Sequence, residues 1–174
     1  MALYIANPIS RSNIRALTGM LRKVVDLDEE SYFPVMGFLE LVIPQIDPAF
    51  EYEIVPVNHM KEYGITYPEK NKIRLREDVY DNAISGIARD RFTVAHEIGH
   101  YFLHKPGSIS LARSQNVEIN RIPAYQQPEW QANTFAGELL APPHIIKGLS
   151  IKEIAIRCGV SLEAAGIQLK NMHR

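Results

Sequence analysis

Five consecutive residues, His96-Glu97-Ile98-Gly99-His100, carry side chains whose types and spacing suit metal chemistry. On an α-helix, residues four apart differ by about 40° in rotation and about 6 Å along the axis, so the two imidazoles can converge on one ion. Glu97 leaves the helix beside that face, within reach of a water on the ion without being a ligand. A zinc ion held there lowers the pKa of its water from about 15.7 to near 7, and the carboxylate takes the proton. That is the equipment of a metal-dependent hydrolase.

The surrounding residues fit a helix with a core behind it. Val94, Ala95, Ile98, Tyr101, Phe102 and Leu103 fill the side opposite the two His, while Arg89, Thr93, His96, Glu97, His100 and His104 share the polar side. Arg91 falls on the apolar side and reads as structural; Arg89 is open to either role. A catalytic zinc needs a third protein ligand and an open fourth position. His104 continues the four-residue spacing, but it lies about 12 Å along the axis from His96 and cannot meet the same ion, so it caps the helix end or lines the cleft. A second helix supplies a better ligand. Its apolar residues Ala132, Phe135, Ala136, Leu139 and Leu140 define a buried side, with Glu129 and Asn133 on its margin and Glu138 turned toward solvent. A carboxylate at such a margin needs a compensating cation, which an ion on His96 and His100 would be. Asn133, one turn on, could orient a ligand. The alternative for Glu129 is an acid in the first helical turn, just after Pro128, that serves the helix dipole.

Elements that position these residues can be read along the chain. Two amphipathic helices are expected over about 10–44: one after the Ser10 cap with Ile14, Leu17 and Leu21 inward, the next from Pro34 and stopped by Pro44. A small antiparallel sheet follows over about 50–76, its last two strands a hairpin around Pro68-Glu69-Lys70-Asn71. The helices bearing the candidate site span about 88–104 and 128–141, separated by a segment, Lys105 to Gln127, that shows no period and reads as loop. Ser150 and Glu153 form a capping box, Gly159 turns the chain and Ser161 caps a last helix. The expected fold is α+β, divided into a domain at 1–144 that carries the candidate metal site, read as a zinc metallopeptidase domain on the resemblance given next, and a C-terminal helical pair at 145–174.

With these residues laid out, the sequence resembles the ImmA/IrrE zinc metallo-endopeptidases. The resemblance rests on Arg89 to Ala95 leading into His96-Glu97-Ile98-Gly99-His100-Tyr101-Phe102-Leu103-His104, and on Glu129-Trp130-Gln131-Ala132-Asn133-Thr134-Phe135-Ala136 running into Leu139-Leu140-Ala141-Pro142. It implies a minimal zincin-like core, one Zn2+ on His96, His100 and Glu129 in the gluzincin manner, and Glu97 as general base. It also matches Asn133 to a ligand-orienting position. Family members are typically small prokaryotic or phage-borne proteins acting on helix-turn-helix repressors encoded nearby, so a helix-turn-helix regulator is the implied protein substrate. For the oxyanion, Tyr101, His104, Tyr125 and Arg113 are candidate donors. The strand at Lys72 to Leu75 could take an extended substrate by strand addition.

Composition bounds the rivals. The chain has 174 residues, 19 Lys+Arg against 20 Asp+Glu, and a formal charge of −1, which gives no general attraction for phosphate backbones or anionic lipid. The pair at 145–174 has a helix-turn-helix look. Its last helix opens Ser161-Leu162-Glu163-Ala164-Ala165-Gly166, without residues to read base edges, which argues against direct nucleic-acid binding. A metal-bound regulator that does not cut its partner would use the same ligands, but it has no need of Glu97. No run approaches the roughly 20 apolar residues of a membrane helix, the first ten residues lack the pattern of a secretion signal, and the lone Cys158 fits a reducing compartment. A cytoplasmic enzyme is the expectation, its oligomeric state left open.

Overall fold

A computed structural model describes residues 4–106, 109–111 and 122–174. Helix α1 (Arg11–Val24) starts where expected, with the Ser10 hydroxyl accepting the backbone N–H of Asn13. The next helical run does not end at Pro44. It continues as α2 (Val35–Gly37), a π-helical stretch over Phe38–Val42, and α3 (Ile43–Ile46). Proline lacks an N–H and crowds the carbonyl four residues back. The wider turn just before it, in which the Ile43 N–H reaches the Phe38 carbonyl, lets the helix carry Pro44 inside.

The sheet consists of β2 (Glu51–Val55), β3 (Gly64–Tyr67) and β4 (Lys72–Arg76) in the order β2-β4-β3. The β3–β4 hairpin is antiparallel, with Thr66 opposite Ile73. Strand β2 runs parallel to β4, with Tyr52 opposite Ile73, so the expected antiparallel sheet is corrected to a mixed one. Strand β4 is central, and its inward Ile73 and Leu75 are fully buried. Bonded on both sides, Lys72 to Leu75 has no edge to offer a substrate; among the described residues β3 and β2 are the edges. Strand β4 passes directly into α4 (Glu77–Ile84), a short helix whose buried Val79 and Ala83 are too few to stand out in the sequence.

Helix α5 (Ala88–Leu103) follows, and β5 (Ile109–Leu111) pairs antiparallel with β1 (Tyr4–Ala6). The segment expected to be loop therefore holds a strand, with a 3₁₀ turn at Ala124–Gln126. Three residues are too short to display a period. Helix α6 (Pro128–Leu140) packs along α5, α1 and α9 and is buried nearly all round. Glu138 is accordingly not turned toward solvent. It is fully buried and receives Arg11 at 3.1 Å and Arg15 at 2.9 Å, both from α1. A short α7 (Pro143–Ile146) leads to α8 (Ile151–Cys158), which opens with both arms of the Ser150/Glu153 capping box and ends at Gly159 with φ 63°. Helix α9 (Leu162–Asn171) is capped by Ser161. Ile154, Cys158, Val160 and Ala165 share one hydrophobic core with Phe33, Leu75, Ile98 and Phe135.

Two helices meet closely at Gly99. A methyl group there would lie 3.1 Å from Phe135 Cβ and 3.2 Å from Ala132 Cα. The absent side chain lets α6 approach α5 backbone to side chain, and that approach sets the residues flanking Gly99 against those flanking Ala132.

Candidate metal centre

Helix α5 presents His96 and His100 side by side, their Nε2 atoms 3.0 Å apart. From α6, Glu129 brings Oε2 to 3.2 Å from His96 Nε2 and Oε1 to 3.1 Å from His100 Nε2. One ligand atom from each of the three lies within 4.8 Å of the others, an arrangement compatible with a metal ion. Both imidazoles are largely enclosed, whereas the Glu129 side chain is 74% exposed. The burial argument for Glu129 is thus corrected: what directs its carboxylate is the pair of imidazoles. His100 and then His96 hold the Glu129 carboxyl far below the ordinary carboxylate range. Burial acts to lower the His96 pKa, but Glu129, Glu97 and Asn133 together raise it. Two nitrogens and a carboxylate so arranged offer converging lone pairs, the donor set that a borderline divalent cation takes.

Each imidazole is held from behind. His96 Nδ1 lies 2.8 Å from Asn133 Oδ1. His100 Nδ1 lies 2.8 Å from His104 Nδ1, and His104 Nε2 lies 2.8 Å from Gln131 Oε1. His104 does cap α5, yet it is buried at 3% exposure instead of lining an open cleft, and burial pushes its pKa down to about 4. Gln131 carries no signal in the sequence, since its burial and its contact with His104 arise only when α6 packs on α5.

Glu97 is 6% exposed and turned toward β3, where Thr66 Oγ1 lies 2.6 Å from its Oε2 and 2.9 Å from its backbone carbonyl. A methyl group on Gly64 would come within 2.7 Å of Glu97 Cγ. Strand β3 therefore fits against the acid because position 64 is glycine. Neither Gly64 nor Thr66 was anticipated, since only the sheet order brings them to α5.

The profile of the peptidase M78 family, described as the IrrE N-terminal-like domain, matches residues 54–170. The chain belongs to this family. No curated protein matches it closely enough to add a relative. The matched span of this M78 peptidase contains all three candidate ligands, Glu97, Asn133, His104 and Gln131, and leaves α1 to α3 outside.

Of the oxyanion candidates, Tyr101 in the M78 peptidase faces away from the centre. It is 1% exposed, packs edge-on against Phe50 and donates its hydroxyl to Asp47. His104 has both nitrogens engaged at 2.8 Å. Tyr125 is exposed in its turn, and its carbonyl, not its ring, supports the site by accepting from Gln131 at 2.8 Å. Arg113 lies outside the described residues. Arg91 is structural as expected: buried, it donates to the carbonyls of Phe33, Cys158 and Gly159. Arg89 pairs with the fully buried Asp90 at 3.0 Å and lies over the Tyr63 ring. Beside the centre, a groove of about 620 Å³ is lined by Phe92, Trp130, Asn133, Ile167 and the two cations Arg11 and Arg89.

Proposed function

We propose that the protein is a zinc-dependent endopeptidase with His96, His100 and Glu129 as metal ligands and Glu97 as general base. The observation that carries the reading is the convergence of two imidazole Nε2 atoms and one carboxylate within 4.8 Å, with a second carboxylate next to them in sequence but bonded elsewhere. When bound, the metal supplies Lewis-acid polarisation of the peptide carbonyl and lowers the pKa of water. Thr66 holds Glu97 Oε2, and the carboxylate so fixed accepts the proton of the attacking water. The same carboxyl then gives that proton to the departing amine, which completes hydrolysis without a second acid. Among the described residues β3 is an edge strand, and its place beside Glu97 suits an extended peptide added as a strand.

In this reading residues 1–144 form the zincin-like peptidase domain, with 145–174 a helical pair packed on it. The substrate is a helix-turn-helix regulator, the class that the ImmA/IrrE resemblance implies. A cytoplasmic site of action agrees with the buried free Cys158, and among the described residues no helix is long and apolar enough to cross a membrane. A DNA-binding role for α8 and α9 finds no support: Gln168 is buried and donates to the Ala141 carbonyl, and Lys170 and Asn171 come only at the end of α9, where a recognition helix would read with its first turns.

The test uses the purified protein and the repressor encoded beside it. The wild type is expected to cut the repressor at one site, and Glu97→Gln to bind zinc equally but cut at least about 1,000-fold more slowly, as loss of a general base combined with loss of water activation requires. Cleavage by Glu97→Gln at the wild-type rate overturns the assignment. Glu129→Ala is expected to lose stoichiometric zinc in metal analysis; retained occupancy returns Glu129 to a helix-dipole role.

A further inference from the structure

The two helices that carry the candidate centre continue past it as walls of a groove. On α5, Thr93 and Arg89 lie one and two turns before His96; on α6, Asn133 and Gly137 lie one and two turns beyond Glu129, and all four line a cavity of about 620 Å³. The groove begins where Asn133 Oδ1 meets His96 Nδ1 at 2.8 Å, and from there it follows the same helix pair away from the centre. Its far wall is α9. A methyl group on Gly137 would lie 2.6 Å from Gln168 Oε1, and that close approach of α9 to α6 sets Ala164 and Ile167 along the groove.

The polar side chains of the groove have partners within the chain. Arg11 is paired with the fully buried Glu138 at 3.1 Å, and Arg89 with the fully buried Asp90 at 3.0 Å. Thr93 donates to the Arg89 carbonyl, Gln168 to that of Ala141 and Asn171 to that of Ile167. Glu163 sits at the rim in the first turn of α9, where the positive end of the helix favours an acid. What is left facing water is carbon: Phe92, Trp130, Ala164 and Ile167, the last 50% exposed on a helix whose Ala165 and Gln168 are buried. A concave apolar surface whose cations are compensated from beneath favours a neutral, apolar occupant over an ionic one.

We propose that this groove is the specificity site of the peptidase, taking a large apolar side chain of the substrate near the scissile bond, with Ala164 and Ile167 of α9 setting how large. The inference rests on the peptidase reading above and adds the side chain that the enzyme selects. An extended peptide advances about 3.3 Å per residue, so a residue beside the scissile bond, or one removed from it, reaches the groove mouth at His96. The C-terminal helical pair thereby gains a task. The helix that lacks base-reading residues in its first turns supplies a wall against which the substrate is fitted.

The experiment has two arms, both on the full chain. The zinc-loaded protein is given a random peptide library, and every cut is mapped by mass spectrometry. Separately, the terminally blocked tripeptides Ala-Leu-Ala and Ala-Asp-Ala are titrated in while the Ala164 and Ile167 methyl signals are followed by NMR. The wild type is expected to select Leu, Met or Phe at one position near the cut, and both methyls to shift with Ala-Leu-Ala but not with Ala-Asp-Ala. Ala164→Phe fills the groove; it is expected to lower the ratio of kcat/KM for large over small residues at that position about 10–200-fold and to abolish the Ile167 shift. Ile167→Ala, at a half-exposed position, widens the groove and is expected to move the preference toward bulkier side chains. Cuts with no apolar preference at any position overturn the proposal and leave the peptidase reading standing. So does an equal response to the two tripeptides, or a cut profile in folded Ala164→Phe or Ile167→Ala identical to that of the wild type. A library left uncut by a protein whose methyls respond to Ala-Leu-Ala would overturn the peptidase reading and leave the groove as a site for apolar side chains.

Discussion

Glu97 would work in the proposed reaction from a carboxylate with one oxygen already committed. Thr66 donates to it at 2.6 Å, which stops the side chain from rotating. Thr66→Val keeps the shape and removes the donor. A hydrogen bond to a charged group is worth about 1.5–3 kcal/mol, so kcat is expected to fall about 10–100-fold with KM and zinc content little changed. A variant with wild-type kcat would show that Glu97 needs no such support. Residues of this kind mark the limit of sequence reading at the scale of single side chains. His96, Glu97 and His100 were legible because one helix supplies them at fixed spacing. Glu129 was legible as a residue but for a mistaken reason, since it is exposed. Thr66, Gly64 and Gln131 were not legible, because their roles exist only across elements.

At the scale of elements, the meeting of α5 and α6 fixes how far the two His lie from Glu129, and Gly99 is a point of close approach between the helices. Gly99→Ala raises helix propensity in α5, yet the new methyl meets Ala132 Cα at 3.2 Å and Phe135 Cβ at 3.1 Å. Overpacking against backbone costs about 1–3 kcal/mol, and here it pushes the ligands apart as well. The expected outcome is a lower denaturant midpoint together with weaker zinc binding; a more stable protein with unchanged affinity would refute the close-approach argument. The long helices were legible from their apolar period and caps. The parallel pairing of β2 was not, because strand order is decided by what the sheet packs on. Likewise Pro44 signals a stop in sequence, and only the π turn before it shows how the helix goes on.

For the whole molecule, stability in acid depends on groups that tie distant segments together. Asp47, just after α3, accepts the Tyr101 hydroxyl from α5, and Lys105 lies 3.3 Å away. The Tyr101 bond, aided by the Ala49 backbone and Lys105, holds the Asp47 carboxyl below its ordinary value of 3.8. With the native pKa depressed, this contact stabilises the fold fully above about 4, and the contribution fades as pH falls through the native value. Asp47→Asn is therefore expected to lower the urea midpoint at pH 7, with the gap to wild type closing below about pH 4. A gap that persists unchanged at lower pH would mean that the charge plays no part. The α+β class and the run of helices were legible at this scale. The way α1 and α9 clasp α6 was not, since it turns on Glu138, which a helical wheel assigned to solvent and which lies buried beneath Arg11 and Arg15.

One further consequence comes from the groove. The chain contains one tryptophan, Trp130, and it adjoins Glu129 in sequence, lines the groove and lies with the Arg11 guanidinium 5.7 Å from its ring centre. Its indole is thus an optical reporter placed by the fold itself. Metal loading, which draws on the residue before it, and a peptide entering beside it would each change the surroundings of the same fluorophore, so both events can be followed in the unlabelled protein from a single emission band.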